Sequence, residues 1–212
     1  LKVYEYNCDS AACYMEAAKV QGLWLKNNHI DNGEDAGKHL FKSLIRAWQK
    51  SSAKGIVHIL RDDDIFEEYH AYFMQEAIAG AGIESKIIVG LTDLSWNENG
   101  DVVDQNGDKV HWVWKTWAWE TALDQIRQEC ETDAIKEKGY EPQWQQHKPL
   151  SLSDVLFHKD VMVYEPLWSL IPSNKAILPV LWSMFPNHPF LLNAAFELSD
   201  ELKEQGYVVK PI

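Results

Sequence analysis

Glu5 and Asn7 stand two residues apart in the opening run Leu1-Lys-Val-Tyr-Glu-Tyr-Asn-Cys-Asp-Ser10, whose stretch from Val3 to Asn7 is β-branched and aromatic. Read as a strand, that stretch sends Glu5 and Asn7 to one face and Tyr4 and Tyr6 to the other. A carboxylate and an amide oxygen side by side are hard donors of the kind Mg²⁺ accepts, with phosphate oxygens completing its shell. Asp9 and Ser10 follow as N-cap residues for a helix running to about Lys26, because short polar side chains satisfy the open N–H groups there. Two acceptors on a strand end then face a helix terminus that favours anions. The same residues also make an ordinary strand-turn-helix with two solvated polar side chains, since a metal site asks for more ligands than this. Spacing leaves both readings open.

Four other places carry residues suited to a charged ligand. The junction Arg61-Asp-Asp-Asp-Ile-Phe-Glu-Glu68 lies where a buried strand passes into a helix, and loops at the carboxyl ends of parallel strands are where open α/β sheets bind ligands. First-turn carboxylates also stabilise any helix, so a solvated helix start accounts for the junction as well. Thr121 falls in the first turn of a helix after the strand His111–Thr116, where a hydroxyl can serve the backbone or a ligand. Ser173 reads as an N-cap, which places Lys175 in the first turn of a helix over Asn174–Phe185 that Pro179 disturbs. A lysine there opposes the helix dipole unless an anion such as phosphate offsets it. Lys210 sits between Val209 and Pro211 in a strand over Val208–Ile212. Taken singly, either lysine is accounted for as a surface residue without a specific contact.

These residues need elements to hold them. Gly55–Leu60 is a short apolar run of buried-strand type, Ile65–Ala79 a helix and Ile83–Val89 a strand, a βαβ unit that favours a parallel sheet. Leu40, Leu44, Ile45 and Trp48 recur at helical spacing within Ala36–Lys50. Turn signals at Asn97–Asp101 and Asp104–Asp108 flank Val102 and Val103 and predict a small hairpin, without the spacing of a calcium loop. Trp119, Ala122, Leu123, Ile126 and Cys130 form an apolar helix stripe, read as core. Lys136–Ser153 lacks periodicity and reads as a surface insertion or mobile loop, after which Val161–Tyr164 restores a strand. The predicted class is α/β, with a mixed, mainly parallel sheet and flanking helices.

Composition sets outer bounds. The chain has 212 residues, 46% hydrophobic, with ten Trp, enough to bury a core and too apolar for a disordered protein. No apolar run approaches a membrane span and the first residues lack a signal peptide's pattern, so a cytoplasmic location is expected. Cys8, Cys13 and Cys130 are odd in number and lack metal-ligand spacing, which fits reduced thiols. A net charge of −12 argues against a nucleic-acid partner. It would attract a cation such as a polyamine, although solubility alone also accounts for it.

Four ordered blocks carry a resemblance. Lys2-Val-Tyr-Glu-Tyr-Asn7 with Asp9-Ser10 and Glu16-Ala17 resembles the metal-binding segment of bacterial glutathionylspermidine synthetases, of the ATP-grasp superfamily. Trp114-Lys-Thr-Trp-Ala-Trp-Glu-Thr-Ala122, then Glu165-Pro-Leu-Trp168 running into Asn174-Lys-Ala-Ile-Leu-Pro179, then Gly206-Tyr-Val-Val-Lys-Pro-Ile212, fit the same family in order. The resemblance implies a ligase that uses ATP and Mg²⁺ to join the glycine carboxylate of glutathione to spermidine through an acyl phosphate, and it is compatible with a homodimer. By the same resemblance Glu5 and Asn7 would hold metal, Lys175 and Lys210 ATP, and Ser10, Glu67 and Thr121 glutathione, with Cys13 matching a family cysteine near the glutathione thiol.

Two positions depart from the family pattern. Phe66 stands where the first of two adjacent glutamates is expected, unless the register shifts to Glu67 and Glu68, and Ala12 replaces a second serine. The family's catalytic arginine and a further metal aspartate would precede Leu1, and a glycine-rich phosphate-covering loop would follow Ile212. The chain is therefore expected to be the central part of a longer synthetase, and no catalytic residue is assigned within it. A glutathione- and metal-binding module without ligase activity, or a ligase for a different amine, are the competing readings.

Overall fold

The computed structural model describes residues 2–9, 13–30, 32–135 and 149–210. The chain divides into two units, one of Ala11–Tyr164 and the other of Leu1–Ser10 with Glu165–Ile212.

The larger unit is built on four parallel strands, β1 (Ile56–Arg61), β2 (Glu84–Val89), β5 (Trp112–Lys115) and β6 (Met162–Tyr164), in the order β2-β1-β5-β6. Strand β1 is buried from Val57 to Arg61, as a central strand of a parallel sheet must be when elements pack on both faces. Helix α3 (Ile65–Gly80) links β1 to β2 and packs with α2 (Leu40–Lys50). Trp48, Ile59, Met74, Ile78 and Trp114 lie at the centre of that core. The βαβ unit and the predicted parallel sheet are both present.

Several boundaries differ from the sequence reading. The helix expected from Asp9 and Ser10 does not run unbroken to Lys26: Cys13 has φ 71, a left-handed backbone that cannot join a right-handed helix, and the Ser10 cap lies outside the described residues. A π-helix (Glu16–Val20) then runs into α1 (Gln21–Asn27). Helix α2 begins at Leu40, because residues 36–39 form a turn that approaches the π-helix backbone. A Cβ added at Gly37 would lie 1.5 Å from the Ala17 carbonyl oxygen, so this close approach requires glycine.

Strands β3 (Leu94–Trp96) and β4 (Val102–Asp104) form the predicted hairpin. In α4 (Trp119–Ile135) Trp119 and Ala122 are buried, whereas Leu123 is exposed. Residues 136–148 of the expected loop lie outside the described residues. Its end is not loop at all, since Leu152 and Ser153 belong to α5 (Leu152–Leu156). That helix is capped reciprocally by Ser151 and Asp154, a capping box readable in the sequence.

The smaller unit departs further. Val3 makes one parallel bridge to Leu191, and Tyr4–Asn7 form no strand. Val208 and Val209 are also outside any ladder, at 82% and 80% exposure. The helix expected over Asn174–Phe185 starts only at Ile177, as α7 (Ile177–Met184), and Ser173, expected as its N-cap, is instead the last residue of α6 (Leu170–Ser173), after which Asn174 is extended. Lys175 therefore lies in a connector, not in a helical first turn. The break suits Pro179, which falls in the first turn of α7, where a missing N–H costs no hydrogen bond. Helix α8 (Asp200–Gln205) follows.

A buried charge network fastens the hairpin to the sheet. Asp104 on β4 accepts from Lys86 Nζ on β2 at 2.6 Å, and its Oδ2 lies 3.4 Å from His58 Nε2 on β1. Burial alone would raise the Asp104 pKa, but the Lys86 ammonium and the N–H groups of Asp108 and Asn106 outweigh it and hold it at about 2. Burial pushes His58 down, so it is neutral at neutral pH. Because the Asp104 pKa is depressed, its stabilisation is present above the unfolded value of about 4 and is lost as pH falls towards about 2. Asp104→Ala should cost about 3 kcal/mol at neutral pH. Urea denaturation should show the gap from the parent protein narrowing below about pH 4.

Candidate functional site

In the smaller unit one carboxylate collects two ammonium groups. Lys175 Nζ lies 3.7 Å from Glu5 Oε1, and Lys210 Nζ lies 3.3 Å from Glu5 Oε2 and 3.2 Å from the Tyr4 carbonyl oxygen. The three side chains are 34–37% exposed, so solvent screens the pairs and each adds at most about 1 kcal/mol to stability. Their consequence is positional: two positive groups far apart in sequence are held at one anion. A cavity of about 690 Å³ in the same unit is lined by Tyr4, Pro179, Phe196 and Tyr207 and by both lysines. An apolar hollow of that size with a few convergent charges is the usual form of a small-molecule site.

Asn7, on the same segment, is exposed. Glu5 and Asn7 thus offer a carboxylate and an amide, and no group of three or more His, Cys, Asp or Glu among the described residues could hold a metal ion. A donor set this sparse fits Mg²⁺, which is commonly held by one or two carboxylates together with phosphate and water. It does not fit a cation that needs an all-protein cage. The lysines beside Glu5 fit the same requirement, since they would attract the phosphates that complete such a shell.

The other expected ligand residues belong to the larger unit. Strands β1 and β5 are adjacent and parallel, so the starts of α3 and α4, which follow them, lie at one end of the sheet. Glu67 is the third residue of α3, whose N-cap Asp64 accepts from Phe66 N–H at 2.9 Å. Burial pushes the Glu67 pKa up, and Asp62 and Asp64 add to the rise while His70 opposes it. Glu68 is engaged elsewhere, 3.7 Å from Arg61 Nη2 and 3.3 Å from the Tyr72 hydroxyl, and Phe66 is 70% exposed. Glu67 is a carboxyl with a displaced pKa, as functional carboxyls often are. Thr121 is exposed in the first turn of α4. Ser10 and Ala12 lie outside the described residues.

Sequence reasoning assigned no role to Glu16, Tyr69 or Lys115. Tyr69 Oη donates to Glu16 Oε1 at 2.8 Å, a bond that raises the tyrosine pKa. Glu16 was part of the resembling motif, but only the fold shows its partner. Lys115 is fully buried, with Nζ donating to the Trp117 carbonyl at 2.6 Å and lying 4.9 Å from the Trp119 ring centre. Its signal was a charge at the end of the apolar run Trp112–Trp114, an arrangement costly to bury without such partners.

A parallel sheet with flanking helices, acidic helix starts at one end of it, and a separate unit that gathers two lysines on a carboxylate define an α/β protein. The chain belongs to the glutathionylspermidine synthase preATP-grasp family, whose match runs over residues 1–212. It is 47% identical over 214 residues to the bifunctional glutathionylspermidine synthetase/amidase of Escherichia coli (strain K12), covering 100% of this chain and 34% of that protein. It is 37% identical over 216 residues to the trypanothione synthetase of Crithidia fasciculata, covering 100% of this chain and 32% of that protein. With the glutathionylspermidine synthase of the same organism the identity is 27% over 230 residues, or 98% of this chain and 30% of that protein. The chain spans about a third of the length of these relatives.

The electrostatics at Glu67 can be tested directly. Asp64→Asn keeps a capping side chain and removes a charge, so the Glu67 carboxyl, followed by NMR titration, should move down towards the ordinary glutamate range. An unchanged or higher value would contradict the stated cause.

Proposed function

We propose that the chain supplies nucleotide- and substrate-binding parts of an ATP- and Mg²⁺-dependent carboxylate-amine ligase, joining the glycine carboxylate of glutathione to spermidine. The observation that carries this reading is the meeting of Lys175 and Lys210 on Glu5 beside a cavity that both lysines line. The family match over the whole chain and the activities for which the relatives are named support it.

In this reading ATP passes its terminal phosphoryl group to a carboxylate oxygen of glutathione, forming an acyl phosphate and releasing ADP. The amine nitrogen then attacks the carbonyl carbon, phosphate leaves, and the nitrogen gives up a proton. Such transfers depend mainly on charge placement and alignment. Lys175 and Lys210 would exchange the Glu5 carboxylate for phosphate oxygens and fix the nucleotide. Glu5 and Asn7 are the residues that would hold Mg²⁺, which when bound supplies neutralisation of phosphate charge. Ser10, Glu67 and Thr121 would orient glutathione. Similarity to a trypanothione synthetase favours, as a second reading, the same chemistry with a different amine.

The test is phosphate release by the full-length protein given ATP, Mg²⁺, glutathione and one amine at a time. Spermidine should give turnover several-fold above buffer. Release with another amine but not spermidine would overturn the substrate assignment, and release with none would overturn the ligase reading.

A further inference from the structure

Between Val3 and Cys8 no backbone amide is held by another described residue, so the stretch carrying Glu5 and Asn7 is fastened at its two ends. Val3 N–H donates to the Phe190 carbonyl at 2.8 Å, and Cys8 N–H donates to Ser173 Oγ at 2.8 Å. Ser173 is the last residue of α6, and the chain is extended at Asn174, with ψ 133, before it reaches Lys175. One hydroxyl therefore joins the residue after Asn7 to the residue two before Lys175. The hydroxyl does not cap a following helix, because α7 starts only at Ile177.

We propose that Ser173 is a positioning residue for nucleotide binding: it sets the register between the Glu5–Asn7 stretch and the Lys175 connector. The assignment rests on the ligase reading above. Among the described residues, the amides of Tyr4–Asn7 make no ladder bond, and the Cys8 N–H bond to Ser173 ties the backbone directly after Asn7. Removing the hydroxyl leaves the part-buried Cys8 N–H without an acceptor and lets the carboxylate drift from the lysine. Threonine keeps the acceptor.

The experiment compares full-length parent, Ser173→Ala and Ser173→Thr proteins by equilibrium binding of a fluorescent ATP analogue with Mg²⁺, and by KM for ATP and for glutathione. Loss of one hydrogen bond predicts that Ser173→Ala weakens analogue binding and raises the KM for ATP about five- to tenfold. The KM for glutathione should stay within about twofold, and Ser173→Thr should restore nucleotide binding. Parent-like nucleotide binding in Ser173→Ala, or a parallel rise in both KM values, overturns the assignment of Ser173 alone. A parent protein that binds no analogue overturns the ligase reading and this role together.

Discussion

Two lysine ammonium groups repel each other, and in this chain the Glu5 carboxylate is what lets them share one place. At their distances in a solvated setting the attraction is on the order of 1 kcal/mol per pair, too little to hold a fold together. The backbone has to do the holding. A connector without helical structure carries Lys175, a tail outside helix and strand carries Lys210, and a segment pinned at Val3 and Cys8 carries Glu5. The charges then mark where an anionic ligand is favoured.

The larger unit solves a different problem. Its parallel strands bury their backbone within the sheet and leave ligand chemistry to the residues just beyond their carboxyl ends. Glu67 shows the consequence, since partly burying it and setting it near Asp62 and Asp64 makes its ionisation less favourable. Asp104 shows the opposite outcome for a carboxyl more deeply buried. Lys86 and two backbone N–H groups hold it ionised and tie the hairpin to β1 and β2.

Much of the larger unit was legible because buried parallel strands and the helices between them leave apolar runs and stripes. Ile56–Arg61, α3 and β2 fell close to their expected limits. The smaller unit was less legible because its residues lack that constraint. Val3–Asn7 and Val208–Lys210 have strand-like composition, but composition cannot supply a neighbouring strand, and none pairs with them among the described residues beyond the Val3 bridge. Ser173 had the chemistry of an N-cap, yet its partner is the amide of Cys8, far away in sequence. Lys175 was singled out by a helix-start position that the fold does not keep, and the two lysines were linked by family resemblance. Their common contact with Glu5 is tertiary geometry that no local pattern encodes, as is the bond between Glu16 and Tyr69.

The central claim is that Glu5, Lys175 and Lys210 act as one phosphate-binding centre. A double-mutant cycle on ATP-analogue affinity in the full-length protein, using Lys175→Met, Lys210→Met and the pair, tests it most directly. If the claim is right, each single change weakens binding about tenfold or more, and the pair loses clearly less than the product of the two. Strictly multiplicative losses, or a single variant that binds as the parent does, would contradict it.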